Sequence, residues 1–422
     1  MGWHEVYFRP QPCNGCSGIL TYNISGTPGN NTKKTDMKKL LFAIAVLFSA
    51  LNSNAVNYPD IKYGPWIHNV SETGFTVLWT SAQKDFAWVE VAPDDGTPFE
   101  SALRQRFYYV IDGRRIADNF HSVRVSGLEP GKAYRYRIYA KVINDDSNAY
   151  GVDYGPARRV KFKGEATIRT LDRNAEKCRF FMANDIHLND DRYKGVVKGV
   201  KSSDFDFFVM NGDMASYISE ADTMLRHVFH VVPSLTSSIP TVYTRGNHET
   251  RGRDAHLLPK FCPTSTGRPY YLLRQGPVAI LVLDGGEDKP DEAPEYSGTV
   301  EFDKFRAEEV EWIKEVVKDP LFTEAKYKVA VMHIPALKFP DSWWGQLWLN
   351  ENMVPVLNEA GVDIMLSGHH HKHIYIKPGE CGNDFPILAN DEEARLEFEA
   401  DSKGYHIRIY DMTGKLTHSY DK

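Results

Sequence analysis

The sequence predicts two domains, an all-β sandwich followed by an α/β layered domain. Length is the first observation behind this prediction, because 422 residues are enough for two domains and a sizeable core. The second is a series of short alternating segments in the first part of the chain. The third is the alternation of strand-length apolar runs with helix-length segments in the second part. The apolar fraction of 42% is ordinary for a globular protein.

Residues 37–55, MKKLLFAIAVLFSALNSNA, have the features of a secretory signal peptide: a basic pair, a short apolar run and small residues at the end. The apolar run is shorter than the roughly 20 residues of a membrane span. We therefore expect cleavage after about Ala55, a secreted or periplasmic protein, and no stable membrane anchor. Because a signal peptide begins a chain, residues 1–36 are interpreted as an upstream extension from a mis-set start.

The charge of the chain argues against nucleic acid as a partner. There are 50 basic and 56 acidic residues, giving a formal charge of −6, and no basic patch that would indicate binding to nucleic acid. Beyond residue 55 the cysteines are Cys178, Cys262 and Cys381, so at most one intrachain disulfide can form.

Residues 56–172 are predicted to form the β sandwich. The segments GFTVLWTS, AWVEVAP, FYYVIDG and AYRYRIYAKV are rich in β-branched and aromatic residues and are separated by turn residues. Alternation is clearest in the last segment, where Tyr134, Tyr136, Ile138 and Ala140 share one face. Several such strands in a short stretch favour a sandwich.

Residues 173–422 are predicted to form the α/β domain. Six apolar runs of strand length occur there: CRFFMAND, FDFFVMNGD, TVYTRGNHE, VAILVLDGG, KVAVMHIP and VDIMLSGHH. Helix-length segments lie between them, and FRAEEVEWIKEVVKD places Val310, Ile313 and Val317 at helical spacing. This alternation indicates a layered α/β architecture.

Polar residues concentrate where these apolar runs end. Ligands of open α/β sheets bind at the carboxyl ends of strands, so we expect these residues to converge on one crevice. They are Asp185, His187, Asn211, Asp213, Asn247, His248, His333, His369 and His371. In the run SGHHHKHIY, His369 and His371 are two residues apart and project to the same side of an extended segment, whereas His370 and His373 are expected to lie away from the site.

The donors of this group are too many for one metal ion. Two carboxylates, one amide oxygen and four imidazoles, without a thiolate, suit two ions of the Fe, Mn or Zn type that share one carboxylate. Ion pairs of this kind lie about 3.5–4 Å apart and serve in-line attack on phosphorus. The sequence therefore predicts a dinuclear metal site for phosphate-ester hydrolysis.

Five blocks of the sequence resemble the signature of the calcineurin-like metallophosphoesterases. They are DIH at Asp185, GD at Gly212, GNHE at Gly246, MH at His333 and GHHH at Gly368, within a resemblance from Cys178 to the C-terminus. The resemblance implies an α/β metallophosphoesterase sandwich with attack by a hydroxide that bridges two metal ions. It implies that one ion is held by Asp185, His187 and His371, the other by Asn247, His333 and His369, with Asp213 between them. His248 would stabilise charge on the phosphoryl group or protonate the leaving oxygen.

The first domain carries a second resemblance. The stretch HSVRVSGLEPGKAYRYRI is similar to the fibronectin type III module, and a module of this kind before the catalytic domain resembles the layout of the purple acid phosphatases. The chain departs from those enzymes because its first block is DxH, and because Ser216 stands where they have a metal-binding tyrosine. Both departures argue against an iron(III)–tyrosinate centre. They also leave Glu249 as the adjacent candidate for orienting His248.

Five further residues are candidate substrate contacts. Arg251, Arg253 and His256 follow the catalytic block GNHE, and arginine pairs well with phosphate oxygens. Trp343 and Trp344 follow His333 and would cover the site. The alternative interpretations are a solvated loop for the first three and core packing for the two tryptophans.

The sequence thus predicts a secreted hydrolase that cleaves a small-molecule phosphate ester, in the first place a monoester. A phosphodiesterase or a nucleotidase is the alternative within the same enzyme class, because both use the same metal ligands. A binding or adhesion protein with a vestigial metal site is the alternative from a different class.

Overall fold

The computed structural model describes residues 58–162 and 167–422, and Tyr58–Lys422 form one compact unit. The predicted upstream extension and signal peptide lie outside the described residues. Within the described ranges, no helix combines the length and apolar character that a membrane crossing requires.

Cys178, Cys262 and Cys381 are buried and free, so no disulfide joins them.

The N-terminal region is rich in sheet. Eight strands form one sheet and two more form a small ribbon. The strands of the sheet are β1 (Ile61–Ser71), β2 (Gly74–Pro93), β3 (Gln105–Tyr108), β6 (Asp118–Ser126), β7 (Ala133–Asp145), β8 (Asp153–Tyr154), β9 (Arg158–Val160) and β10 (Thr167–Arg169), and those of the ribbon are β4 (Val110–Ile111) and β5 (Arg114–Arg115).

The long strand β2 organises this region. Its first half pairs with β1 and β6, its second half pairs with β7 and β3, and the pairing is irregular between Thr80 and Asp85. Strand β7 contains the segment with the clearest alternation. Its residues Tyr134, Tyr136, Ile138 and Ala140 are all buried, as the period of two predicts.

The α/β region contains two six-stranded sheets. The first has the order β13-β12-β11-β20-β21-β22 and the second has the order β14-β15-β16-β17-β19-β18. The six predicted runs form β11 (Cys178–Ala183), β12 (Phe207–Asn211), β13 (Thr241–Thr244), β15 (Val278–Leu283), β16 (Tyr327–Met332) and β17 (Ile364–Ser367). The strands not predicted from the sequence are β14 (Tyr271–Gln275), β18 (Ile374–Ile376), β19 (Ile387–Ala389), β20 (Ala394–Ala400), β21 (Tyr405–Asp411) and β22 (Leu416–Asp421).

Helices pack against both sheets. The segment predicted to be helical forms Phe302–Val316 and buries Val310 and Ile313, whereas Val317 caps its C-terminus. The other α-helices are Asp190–Val196, Ala221–Met224, Pro233–Thr236, Leu258–Phe261, Pro320–Thr323, Trp344–Asn352 and Val354–Glu359. One face of each sheet contributes to a common apolar core, for example Phe180 and Val331, and the opposite faces pack against helices.

The region of β1 to β10 packs directly on the first of these two sheets. The Tyr136 hydroxyl donates to the carbonyl of Ser237 at 2.8 Å, and the Trp66 indole donates to the carbonyl of Phe261 at 3.0 Å. His68 on β1 reaches Thr241 at the start of β13. These buried polar contacts fix the β region against two short helices, at Ser237 and Phe261, and against the edge strand β13 of the first sheet.

The expected crevice is built by two sheets rather than by one open sheet. Strands β11, β12 and β13 run parallel in the first sheet, and β16 and β17 run parallel in the second. Main-chain hydrogen bonds join the loops that follow them, including Asp185 N to Gly212 O at 3.0 Å and Gly368 N to His333 O at 2.9 Å. Both sheets therefore present strand ends to the same place.

Candidate metal centre

The loops at the strand ends hold their polar residues in an unusual backbone conformation. Asp185, His187, Asp213, His369 and His371 have φ angles of 55°, 52°, 52°, 74° and 55°. Residues other than glycine rarely adopt this left-handed conformation, and where they do the strain is commonly found at functional sites. The surrounding loops must therefore stabilise it.

One glycine shows how closely these loops approach one another. Gly212 has a φ of 77°, and a Cβ atom at this position would lie 2.5 Å from the imidazole ring of His333. Only glycine fits both the backbone conformation and the contact. Gly212 thereby allows the loop after β12 to reach the residue that ends β16.

A first group of donors consists of Asp185, His187 and His371. The Nε2 atoms of the two histidines are 3.2 Å apart, and Asp185 Oδ1 lies 3.4 Å from His371 Nε2 and 3.8 Å from His187 Nε2. The other carboxylate oxygen, Oδ2, accepts hydrogen bonds from the Asn184 amide at 2.7 Å and the backbone N–H of His369 at 2.8 Å. Asp185 is thus held on one side, and Oδ1 is left to face the histidines.

A second group consists of Asn247, His333 and His369, all buried. His333 donates through Nδ1 to the carbonyl of Asn211 at 2.8 Å, which directs its Nε2 into the site. Asn247 Oδ1 lies 3.0 Å from His369 Nδ1. Asn211 contributes to this group through its backbone carbonyl.

Asp213 lies between the two groups. Its Oδ2 is 3.1 Å from His333 Nε2, 3.9 Å from His187 Nε2 and 3.9 Å from His248 Nε2. The structure therefore brings together all seven residues that the sequence analysis assigned as metal ligands. We call them the strand-end cluster: Asp185, His187, Asp213, Asn247, His333, His369 and His371.

The chemistry of the cluster fits bound cations. His369 Nε2 is buried and has no hydrogen-bond partner among the described residues. Asp185 Oδ1 and His333 Nε2 are also buried and face only other donors of the cluster, at 3.4 Å from His371 Nε2 and 3.1 Å from Asp213 Oδ2. Buried polar atoms without partners are rare in native proteins, and such sites commonly take up an ion or a water molecule. Oxygen and imidazole donors without thiolates suit divalent transition metals.

The pKa values of Asp185, Asp213 and His333 are shifted by burial and by one another's charges. Burial raises the pKa of Asp185, and the neighbouring Asp213 raises it further. For Asp213 the effect of burial is outweighed by His333, so its pKa is lowered. Burial lowers the pKa of His333, but the carboxylates of Asp213 and Asp185 more than offset this and raise it to about 10. The two carboxylates and His333 thus stabilise one another's charged forms.

His248 lies beside the cluster and is oriented by a backbone carbonyl. Its Nδ1 is 2.8 Å from the carbonyl oxygen of Ser216, and its backbone N–H donates to Asp213 Oδ1 at 2.9 Å. A carbonyl only accepts, so Nδ1 carries the proton and Nε2 faces the site. The hydroxyl of Ser216 instead donates to the carbonyl of His187 at 3.1 Å.

Glu249 does not orient His248, contrary to the candidate role suggested for it. Its buried carboxylate accepts hydrogen bonds from the backbone N–H groups of Asp213 and Gly246, both at 2.8 Å, and of Ala215 at 2.9 Å. The Tyr243 hydroxyl donates to it at 2.9 Å. Glu249 therefore ties the loop after β12 to the loop after β13, and its burial raises its pKa to about 7.

Two of the five candidate substrate contacts lie at the site. Arg251 Nη1 is 3.2 Å from His248 Nε2, and the Trp343 ring stands edge-on to His369 with ring centres 4.6 Å apart. The other three are placed elsewhere by their contacts. Arg253 is exposed and pairs with Glu220, His256 contacts the carbonyl of Arg253, and Trp344 packs on Arg306.

The remaining histidines of the run at 369–373 point away from the cluster. His370 stacks on Trp343 and contacts Gln346, and His373 contacts the Tyr420 hydroxyl at 2.8 Å. Both lie away from the cluster, as expected, but the reason given was wrong: residues 369–372 form a bend after β17, in which His369 and His371 have positive φ angles, and not an extended segment.

Sequence analysis missed several supporting residues. Asn184 holds Asp185, and Glu392 Oε2 lies 3.2 Å from His371 Nδ1. Glu287 binds Arg251 through two hydrogen bonds. Glu287 carried a usable signal, since it follows VAILVLDGG, the one predicted strand whose end had been given no role.

Residues 178–373 match the family model of the calcineurin-like phosphoesterases. Comparison of the chain with curated proteins gave no match.

Among solved structures, a conserved uncharacterized protein of Streptococcus pneumoniae, described as a predicted phosphoesterase, is 11% identical with a TM-score of 0.28. The match covers 59% of this chain and 99% of that protein. A protein of Thermus thermophilus is 11% identical with a TM-score of 0.33, covering 58% and 98%. Three fibronectin-type domains of chicken contactin are 18% identical with a TM-score of 0.17, covering 31% and 39%. TM-scores this low do not establish a common fold.

Proposed function

We propose that the protein is a metal-dependent phosphoric ester hydrolase that acts on phosphate monoesters of small molecules, because residues 178–373 match the calcineurin-like phosphoesterase model and its candidate ligands lie together. The observation that carries this proposal is the strand-end cluster, in which seven oxygen and nitrogen donors from five loops converge. Phosphate-ester hydrolysis is among the slowest uncatalysed reactions, and paired metal ions are a common means of accelerating it.

The cluster has the donors for two ions, which we propose to be Fe, Mn or Zn. Asp185, His187 and His371 would hold one ion, and Asn247, His333 and His369 would hold the other, with Asp213 shared between them. When bound, the ions supply Lewis-acid polarisation of phosphoryl oxygens and of water. The unpartnered Nε2 of His369, and the buried Asp185 Oδ1 and His333 Nε2 that face other donors of the cluster, support this assignment.

His248 is proposed to act on the substrate rather than on metal. The Ser216 carbonyl holds its Nδ1–H, so its Nε2 is the atom available to the reacting groups. In the protonated imidazole, Nε2–H would stabilise charge on the phosphoryl group or donate a proton to the leaving oxygen, because an alkoxide leaves poorly without one. Its side chain is 30% exposed, which leaves it accessible to a ligand.

We further propose that residues 37–55 direct export and that residues 56–172 form a fibronectin type III-like domain before a catalytic domain at 173–422, as in the purple acid phosphatases. The signal-like composition of 37–55 and the GLEPGKAY turn between β6 and β7 support this arrangement. N-terminal sequencing of the exported protein tests the first part: a start far upstream of Val56 would contradict cleavage after Ala55.

A substrate panel tests the proposed reaction. The wild type and the variants His248→Ala and Asn247→Ala would be assayed on p-nitrophenyl phosphate and on its bis ester, with bound metal measured by mass spectrometry. His256→Ala serves as the control, because its side chain contacts the backbone of Arg253 rather than the cluster. We expect the wild type to prefer the monoester and both site variants to lose activity, Asn247→Ala together with metal.

The outcomes separate the alternatives. Preference for the bis ester would indicate a phosphodiesterase, and preference for nucleotides a nucleotidase. A wild type that binds no metal after incubation with Mn²⁺ or Zn²⁺ would favour a binding protein. Full turnover in both site variants would contradict the assigned roles.

A further inference from the structure

The loop after β15 carries a buried carboxylate that the metal ligands do not explain. Glu287 is fully buried, and its carboxylate accepts hydrogen bonds from Arg251 Nε at 2.7 Å and Arg251 Nη2 at 2.8 Å. Thr250 Oγ1 donates to it at 2.9 Å and the Tyr296 hydroxyl at 3.0 Å. Two of these partners, Thr250 and Arg251, follow His248 within the same turn of chain. Glu287 therefore anchors the segment that begins with His248.

The backbone of the loop that carries Glu287 is held by a residue of the helix Phe302–Val316. Arg306, fully buried on the helix Phe302–Val316, donates to the carbonyl of Gly285 at 2.9 Å and to the carbonyl of Glu287 at 2.8 Å. The loop is thus held at two backbone positions on either side of Gly286. The carboxylate of Glu287 consequently has little freedom to follow Arg251 if that side chain moves.

Arg251 is the cation presented by this arrangement. Its guanidinium has five N–H groups, of which Glu287 takes two. Its Nη1 lies 3.2 Å from His248 Nε2 and can donate to that nitrogen only while it carries no proton. The side chain is 32% exposed. N–H groups of Nη1 and Nη2 thus remain for a ligand that reaches His248. The bidentate pair fixes the plane of the guanidinium as well as its position.

We propose that Glu287 is a positioning residue that holds Arg251 beside His248, where the guanidinium binds non-bridging oxygens of the phosphoryl group and favours monoesters over diesters. This inference rests on the proposed function. A monoester carries close to two negative charges at neutral pH and has three non-bridging oxygens, as a phosphorylated side chain does. A diester carries one charge and has one non-bridging oxygen fewer. A fixed guanidinium fork discriminates between them through charge and geometry.

Kinetics on the two p-nitrophenyl esters test the proposal. For Glu287→Gln and for Arg251→Met we expect kcat/KM on the monoester to fall by about 10- to 100-fold, mainly through KM, because a charge-assisted hydrogen bond to substrate is lost. The bis ester should lose less, so the preference for the monoester should shrink. Arg253→Ala is the matched control, since this arginine lies two residues away and pairs with Glu220 at the surface.

A double-mutant cycle separates positioning from a general structural role. If Glu287 acts through Arg251, the double variant Arg251→Met/Glu287→Gln should be no worse than Arg251→Met alone. That variant also removes both charges of the buried pair, so it remains informative if Glu287→Gln folds poorly. Binding of inorganic phosphate, measured by calorimetry on the metal-loaded protein, should weaken about tenfold in each variant. Added guanidinium ion should partly restore activity to Arg251→Gly.

Three results would overturn the inference: equal losses on both esters, additive effects in the cycle, or unchanged phosphate binding. Each of them can occur while the wild type hydrolyses monoesters normally, in which case the proposed function stands. A wild type that binds phosphate through Arg251 but hydrolyses neither ester would instead contradict the proposed function.

Discussion

The protein buries histidines in two regions, and the regions treat them differently. In the contact between β1 and β13, His68 is 2% exposed, and its Nδ1 lies 2.9 Å from the carbonyl oxygen of Thr241 and 2.9 Å from its hydroxyl. In the strand-end cluster, His333 and His369 are also buried, but His369 Nε2 has no hydrogen-bond partner among the described residues and His333 Nε2 faces the carboxylate of Asp213 at 3.1 Å.

The difference separates a structural histidine from a candidate ligand. Burial alone does not, because all three side chains are removed from solvent. What differs is what the ring nitrogens face: those of His68 contact Thr241, whereas those of His333 and His369 converge with donors from other loops. A missing hydrogen bond alone would not decide it, because the ring nitrogens of the buried His121 on β6 also lack one among the described residues, although its Nε2 pairs with Asp85. The pKa values of His68 and His333 follow the same division. Burial lowers that of His68 to about 4, whereas the carboxylates around His333 outweigh burial and raise its pKa to about 10.

The largest expected effect concerns the residue that joins both halves of the cluster. Asp213→Asn removes the shared negative charge while keeping the shape of the side chain, so both groups of ligands lose affinity for metal. We expect kcat/KM on p-nitrophenyl phosphate to fall by about a thousandfold or more, since metal ions contribute several kcal/mol to this chemistry. Bound metal should fall in parallel.

His68→Gln is the matched control for this variant in the other region. It replaces a buried histidine whose Nδ1 contacts Thr241, and its kcat/KM at pH 7 should match the wild type. The distinction between a structural histidine and the metal-binding cluster would be wrong if Asp213→Asn kept its metal and its activity, or if His68→Gln lost metal.

The second prediction concerns the free energy of unfolding at acidic pH and tests whether His68 has a structural role. The pKa of His68 is about 4 in the folded protein against an ordinary value of 6.5. Between these values the unfolded chain binds more protons, so the free energy of unfolding should decrease as the pH falls from 6.5 to 4, by about 3 kcal/mol in all. Above pH 6.5 this contribution is fully present.

Urea unfolding of the wild type and of His68→Gln, measured between pH 4 and 7, checks this prediction. The variant lacks the titrating group, so its free energy of unfolding should depend less on pH over this range. Curves that run parallel would show that His68 is not the source of the acid sensitivity.

Much of the site was predictable from the sequence because its determinants are local. Each ligand follows an apolar run that is long enough to be recognised as a strand. The local pattern failed only for His369 and His371, which lie in a bend with positive φ angles instead of on one side of an extended segment. Orientation was not predictable in this way. The carbonyl of Ser216 holds His248, and no side-chain pattern reveals a backbone acceptor.

Tertiary contacts also decided between residues that look alike in the sequence. Arg251 and Arg253 lie two positions apart in one polar loop, yet Glu287 draws the first to His248 while the second pairs with Glu220. The strands β20, β21 and β22 escaped prediction because they complete the first sheet from the far end of the chain. Of the three, β20 pairs with β11, β21 with β20 and β22 with β21. The burial of β20 and β21 does alternate, so a period of two was a usable signal for these two strands.

The smallest expected effect is a difference between two ligands of the cluster in their rescue by added imidazole, which depends on how exposed each side chain is. The side chain of His371 is 45% exposed, whereas His369 is 6% exposed under Trp343. His371→Ala and His369→Ala should each weaken metal binding by at least the roughly 10- to 100-fold that loss of an outer partner costs. Added imidazole should restore metal and activity only to His371→Ala, because free imidazole can enter an open position but not a covered one. Equal rescue of both variants would mean that Trp343 does not close the second half of the cluster.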